Sequence, residues 1–72
     1  MNWTEWIDAG SASLRRFRYD AASQILAVEF NYGGTYQYFD VPEHVFEQLK
    51  GSSSKGQFLA QTIKGAYRYA RA

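Results

Sequence analysis

The chain has no cysteine, one proline and one histidine in 72 residues, and its only methionine is Met1. Without cysteine no disulfide braces the fold, and a thiol nucleophile is excluded. No run approaches the roughly 18 apolar residues that would span a bilayer, and Met1 to Gly10 lacks the basic-then-apolar layout of a signal peptide. The expectation is a soluble cytoplasmic protein with no membrane partner. Neither a glycine-flanked serine elbow nor a phosphate-loop pattern occurs. His44 sits among Asp40, Glu43 and Glu47 at a predicted helix start, where acids are expected for electrostatic reasons alone. The reading is therefore non-enzymatic, with no cofactor and no metal.

What the chain does have is aromatic mass: Trp3, Trp6, five phenylalanines and six tyrosines, 18% of the residues, within a hydrophobic total of 46%. Charged residues make up only 21%, so the chain can build one small core and is not a disordered tail. One core of this size rarely contributes more than about 3–5 kcal/mol of net stability, so tight packing or self-association must compensate. The net charge of +1 conceals an asymmetry. Residues 1–49 carry seven acids against three arginines, whereas residues 50–72 carry Lys50, Lys55, Lys64, Arg68 and Arg71 and no acid. A basic C-terminal third suits phosphates or acidic partners.

The pattern predicts an α+β fold, a three-stranded antiparallel meander followed by two short helices packed on one face, with a short N-terminal helical segment. Asn2-Trp3-Thr4-Glu5 has the form of a helix start, with Trp3, Trp6 and Ile7 at helical spacing. Phe17 and Tyr19 alternate with Arg16 and Arg18 in a first strand; Leu26, Val28 and Phe30 mark the core face of the second; Thr35 to Phe39 form the third. Pro42 opens a helix to Lys50, and Ser54 with Gln57 has the capping-box form for a second helix ending near Ile63. Phe17, Tyr19, Leu26, Val28, Phe30, Phe39, Val45, Phe46, Leu49, Phe58, Leu59 and Ile63 are the expected core. The basic, aromatic residues from Ala66 onward read as an added strand, a packed arm or a frayed end.

Taken in order, Tyr19-Asp20, Leu26-x-Val28-x-Phe30, Gly34-x-Tyr36-x-Tyr38, Val41-Pro42, Ser54-Lys55-Gly56-x-Phe58 and Ile63-Lys64 with Tyr67 resemble the KTSC family. That family is named for a domain at the C-terminus of some lysyl-tRNA synthetases. The resemblance covers residues 13–69, sets residues 1–12 apart as a tryptophan-containing extension, and leaves residues 70–72 as the end of a basic tail. It implies a small α+β domain that occurs alone and fused to synthetases, with no established activity and a suggested role in binding RNA. Ala60 departs from the polar residue, often Asn, expected there.

Tyr36 and Tyr38 lie two apart on a strand and so share one face. A two-residue Gly33-Gly34 turn directs them away from the core, beside Arg16 and Arg18, while a three-residue loop reverses them. The two-residue turn is intrinsically the commoner, so the outward arrangement is the expected one, and it would interleave cations and rings as single-stranded nucleic acid requires. Lys55 at the second helix start and Lys64 and Arg68 near its end add positive charge, giving Arg16, Arg18, Tyr36, Tyr38, Lys55, Lys64 and Arg68 as the candidate nucleic-acid surface, with RNA or another single strand as partner. The alternative is a protein-interaction module, homodimeric in one version, in which Trp3, Trp6 and the tyrosine pair bury against a protein.

Overall fold

Period-two alternation in Arg16-Phe17-Arg18-Tyr19 and in Leu26-Ala27-Val28-Glu29-Phe30 yields the central strand pair of the computed structural model, which describes residues 1–72. In chain order the elements are β1 (Ile7–Asp8), β2 (Leu14–Asp20), β3 (Ile25–Phe30), β4 (Thr35–Tyr38), α1 (Glu43–Gly51), α2 (Lys55–Phe58), a π-helical turn (Leu59–Ile63) and β5 (Tyr69–Arg71). The strands form one antiparallel sheet in sequence order. Both helical segments pack on one face of it. No helix is long and apolar enough to cross a membrane.

The α+β class holds, but the three-stranded sheet with an N-terminal helix does not: the sheet has five strands and the N-terminal segment is extended. Trp3 bridges to Asp20, the Thr4 N–H donates to the Tyr19 carbonyl at 2.8 Å, and Ile7 and Asp8 pair with Phe17 and Arg16. A helix of under ten residues ahead of Gly10 gains too few hydrogen bonds to nucleate, whereas the open edge of β2 offers a row of backbone partners. The register shifts by one residue between Trp3↔Asp20 and Ile7↔Phe17. The C-terminal residues are the fifth strand, with Tyr36 opposite Arg71 and Tyr38 opposite Tyr69.

Turn parity is the second correction. The Phe30 N–H donates to the Gly34 carbonyl at 3.2 Å and the Gly33 N–H donates to the Phe30 carbonyl at 3.0 Å, which closes a three-residue loop over Asn31 to Gly33. Gly33 and Gly34 adopt φ of 98° and 94°, a conformation that a side chain would strain. Val28 consequently faces Tyr36 and Leu26 faces Tyr38. Both tyrosines lie on the core side of the sheet, and Arg16 and Arg18 lie on the other.

Beneath that sheet, Phe46 of α1 stacks on Tyr19 at 4.7 Å between ring centroids and meets Phe17 edge-on at 6.0 Å. The Tyr19 hydroxyl donates to the Val41 carbonyl at 2.5 Å, and burial, then Glu43 and Asp20, push its pKa up. Leu14, Tyr38 and Val41 join the expected core, while Phe39 and Phe58 are only half-buried. Leu14 points inward together with Phe17 because the register shifts between Leu14 and Arg16.

Asp20 is the one buried acid. Its Oδ1 accepts from the N–H groups of Asn2 at 3.0 Å and Ala22 at 3.2 Å, tying the N-terminal segment to the sheet. Burial raises its pKa, but hydrogen bonds from Asn2, Ser23 and Ala22 outweigh that and hold the carboxyl below the usual carboxylate range. A depressed folded-state pKa contributes stability above the unfolded value of about 4 and loses it as pH falls through the folded value. Stability by denaturant titration should therefore decline more steeply below about pH 4 in the wild type than in Asp20→Asn. Equal acid dependence in the two proteins contradicts this role.

The Ser52–Gly56 segment is built from within. Ser54 makes no side-chain cap, the Ser52 hydroxyl accepts from the Ser54 N–H at 3.2 Å, and the Lys55 ammonium donates to the Ser52 carbonyl at 3.0 Å. Gly56 abuts the link between β1 and β2: an added Cβ there would collide with the Ser11 hydroxyl and lie 2.8 Å from that of Ser13. Ser11 is not free to swing away, because its oxygen accepts from the N–H groups of Ser13 and Leu14. Gly56→Ala should cost about 1–3 kcal/mol from overpacking, less a helix-propensity gain of about 0.5–1 kcal/mol. Adding Ser11→Ala should recover part of the loss in chemical denaturation, and a Gly56→Ala protein as stable as wild type would contradict the packing.

Candidate functional site

The two faces of the sheet divide the cations and rings between them. On the outer face, the Arg16 guanidinium lies 4.3 Å from the Trp6 ring centre, and that of Arg18 lies 4.6 Å from both Trp3 and Trp6. Arg16 also pairs with Glu29 at 2.5 Å. Cation and ring alternate along the strand, and each arginine is already engaged. The helical spacing of Trp3 and Trp6 serves here to bring both indoles over Arg18, with the one-residue register shift compensating for strand alternation.

On the core side, at the end of the sheet left uncovered by α1, an open groove of about 440 Å³ runs between β3, β4, β5 and the segment that follows the π-helical turn. Phe30 and Tyr36 form its floor in an edge-on pair at 5.5 Å, and Tyr32 from the glycine loop stacks on Phe30 at 5.1 Å with the rings nearly parallel. Tyr69 of β5 leans against Tyr36 and Tyr38 at 5.9 and 5.7 Å. Tyr32 and Tyr69 remain 69% and 61% exposed, so the side of each ring turned away from its aromatic neighbours is available to a ligand. Burial first, then the neighbouring tyrosines, push the Tyr38 pKa up, and its phenol stays protonated at neutral pH.

Positive charge lines this groove at Lys64 and flanks it at Arg71. The π-helical turn closes with the Lys64 N–H donating to the Leu59 carbonyl at 2.8 Å, and the Lys64 ammonium lies 4.7 Å from the Phe30 ring centre. Gly65, at φ 82°, then turns the chain toward β5. Arg71 holds its guanidinium 5.8 Å from the Tyr36 ring centre. No carboxylate lines the groove.

Of the residues singled out from the sequence, the structure gathers Tyr36, Tyr38 and Lys64 and separates the rest. Arg16 and Arg18 occupy the outer face, Lys55 is bonded to the Ser52 carbonyl, and Arg68 pairs with Asp40 at 3.1 Å beside Phe39. Tyr32 and Tyr69 also line the groove and Arg71 flanks it beside Tyr36, three residues outside the surface expected from the sequence. The alternation Tyr67-x-Tyr69-x-Arg71 is a strand signal that would have found two of them. No group of three or more His, Asp or Glu side chains comes together with metal-binding geometry.

Residues 10–67 match the family model described as the KTSC domain. The chain is 41% identical over 56 residues to a lysine–tRNA ligase of Trichormus variabilis, a match covering 78% of this chain and 10% of that enzyme. It is 40% identical over 58 residues to a small protein of Tsukamurella paurometabola and 44% identical over 62 residues to an uncharacterized protein of Stutzerimonas stutzeri, covering 87% of each. The crystal structure of a KTSC domain protein from Yersinia pestis superimposes with a TM-score of 0.92 at 28% identity, covering 99% of both chains. The chain thus spans about a tenth of the ligase and nearly all of the small relatives.

Proposed function

The chain belongs to the KTSC domain family, and from that membership together with the tyrosine groove we propose that it is a small non-catalytic module that binds single-stranded RNA. The observation that carries the reading is the groove itself, with exposed tyrosine faces, a lysine at the rim and no carboxylate within. Aromatic faces stack on bases, and a cation beside them takes the phosphate. Tyr32 and Tyr69 supply the stacking surfaces, Lys64 the phosphate contact and Arg71 a second. The lysine–tRNA ligases that contain a similar stretch act on an RNA, which favours RNA over DNA. A protein-interaction reading rests on the same exposed tyrosines, but Trp3 and Trp6, half-buried against arginines, offer it less free surface.

The charge count makes this quantitative. Arg16, Arg18, Lys55 and Arg68 are engaged within the protein, so about two cations meet phosphate, and log K against log salt should slope at about −1.4 for a single strand. Affinity for a labelled short single-stranded RNA, followed by fluorescence anisotropy, should then fall about sevenfold between roughly 50 and 200 mM salt. A flat response contradicts phosphate contact. A slope near −4 contradicts the groove as the site, because it requires the arginines of the outer face as well.

A further inference from the structure

The two edges of the sheet are treated differently. At one edge β1 is only two residues long, its register is broken against the Trp3 bridge, and the Asp8 carboxylate is occupied by the Gly10 N–H at 2.9 Å. These are the devices that keep an edge from pairing. At the other edge β5, three residues long and exposed at each of them, has no proline and pairs with β4 in unbroken register. The Phe39 N–H donates to the Arg68 carbonyl at 2.9 Å and the Ala72 N–H donates to the Thr35 carbonyl at 2.7 Å. By alternation Arg68, Ala70 and Ala72 face β4, and the N–H and C=O groups of Tyr69 and Arg71 face outward with no backbone partner.

That outward row is complementary to itself. Laid antiparallel against a second copy about a two-fold axis at Ala70, Tyr69 stands opposite the partner's Arg71 and Arg71 opposite the partner's Tyr69. Both are positions that exchange two hydrogen bonds, four in all. Each pair sets a guanidinium against a tyrosine ring on the groove face, and the two Arg71 residues are not directly opposed. Ala70 meets its own counterpart with the smallest side chain that still favours a regular backbone. We propose that β5 is a dimerisation edge at which two copies of this chain join into one ten-stranded sheet, with their tyrosine grooves side by side on the same face. The occupant is a second copy because two-fold pairing at Ala70 sets Tyr69 and Arg71 of each chain against the other's Arg71 and Tyr69, a cation–aromatic match at both positions. The pairing requires no RNA and stands apart from the RNA reading.

Three measurements on the full chain decide it. In sedimentation equilibrium without nucleic acid, the mass should rise with concentration toward twice 8.3 kDa and stop there. Arg71→Pro removes one outward N–H per copy and leaves the Ala70 and Ala72 bonds to β4, so dimerisation should weaken about thirtyfold with the monomer fold unchanged. Ala70→Cys places two thiols at a non-hydrogen-bonded pair about 4.5 Å apart between Cα atoms, within disulfide range. The wild-type chain has no cysteine. That variant should therefore crosslink under mild oxidation far faster than Ser53→Cys, a control at an exposed loop position. A monomer at millimolar concentration overturns the proposal, as do growth past the dimer, undiminished dimerisation of a folded Arg71→Pro, or equal crosslinking of the two cysteine variants.

Discussion

Tyr69→Ala is expected to weaken the binding of single-stranded RNA by about fivefold to more than a hundredfold, the range set by losing one base–aromatic stack worth about 1–3 kcal/mol. The fold should survive, because the Tyr69 ring is 61% exposed and its strand is held to β4 by backbone bonds. Tyr38 is unsuited to the test: it is 3% exposed, and its truncation would open the core. Lys64→Ala should act differently, removing one phosphate contact and halving the salt slope to about −0.7 while stacking persists. Arg16→Ala should leave RNA affinity within about twofold, because its guanidinium is already shared between Glu29 and Trp6. Affinities for one RNA across these three variants separate the groove from the outer face. A loss in Arg16→Ala equal to that in Tyr69→Ala would reverse the assignment.

Phe46→Ala should unfold most of the protein at 25 °C. Phe46 is 3% exposed, stacks on Tyr19 and abuts Phe17, and so joins α1 to the centre of the sheet. Truncating a buried phenylalanine costs about 3–5 kcal/mol, as much as the roughly 3–5 kcal/mol that one core of this size contributes. With no disulfide to hold the remainder, the loss is not compensated elsewhere. Circular dichroism should show a collapsed or absent thermal transition, while Phe46→Leu, which keeps most of the volume, should melt cooperatively at a lower temperature. A Phe46→Ala protein within about 1 kcal/mol of wild type would show that stability lies outside this aromatic stack.

The parts of the fold that could be read from the sequence are those whose signal is local. Leu26, Val28 and Phe30 alternate cleanly, and Val45, Phe46 and Leu49 make a helical stripe behind Pro42, so β3 and α1 lie where the pattern puts them. The N-terminal edge strand has no signal of its own because an edge strand exists by virtue of its neighbour's open backbone, whereas the C-terminal one is among the alternatives its alternation offers. Nothing within Trp3 to Asp8 says that β2 will be available to pair, and the tryptophan spacing imitates a helix. The face of the tyrosine pair is not legible for a related reason. One residue of loop length sets the face of every side chain that follows, and Gly33-Gly34 is compatible with either loop. The resulting reversal separated Arg16 and Arg18 from Tyr36 and Tyr38, and brought Lys64 and Tyr69 to the tyrosines instead. The capping pattern of Ser54 and Gln57 is likewise unused, because Ser52 orders that turn and Gly56 is held against Ser11 and Ser13.

The most direct test of the groove is a titration of isotopically labelled protein with a short single-stranded RNA at low salt, followed through backbone amide and aromatic resonances. The account predicts shifts centred on Tyr32, Tyr36, Lys64, Gly65 and Tyr69 that diminish as salt is raised. Shifts centred on Trp3, Trp6, Arg16 and Arg18, or a spectrum unchanged at saturating RNA, would contradict it.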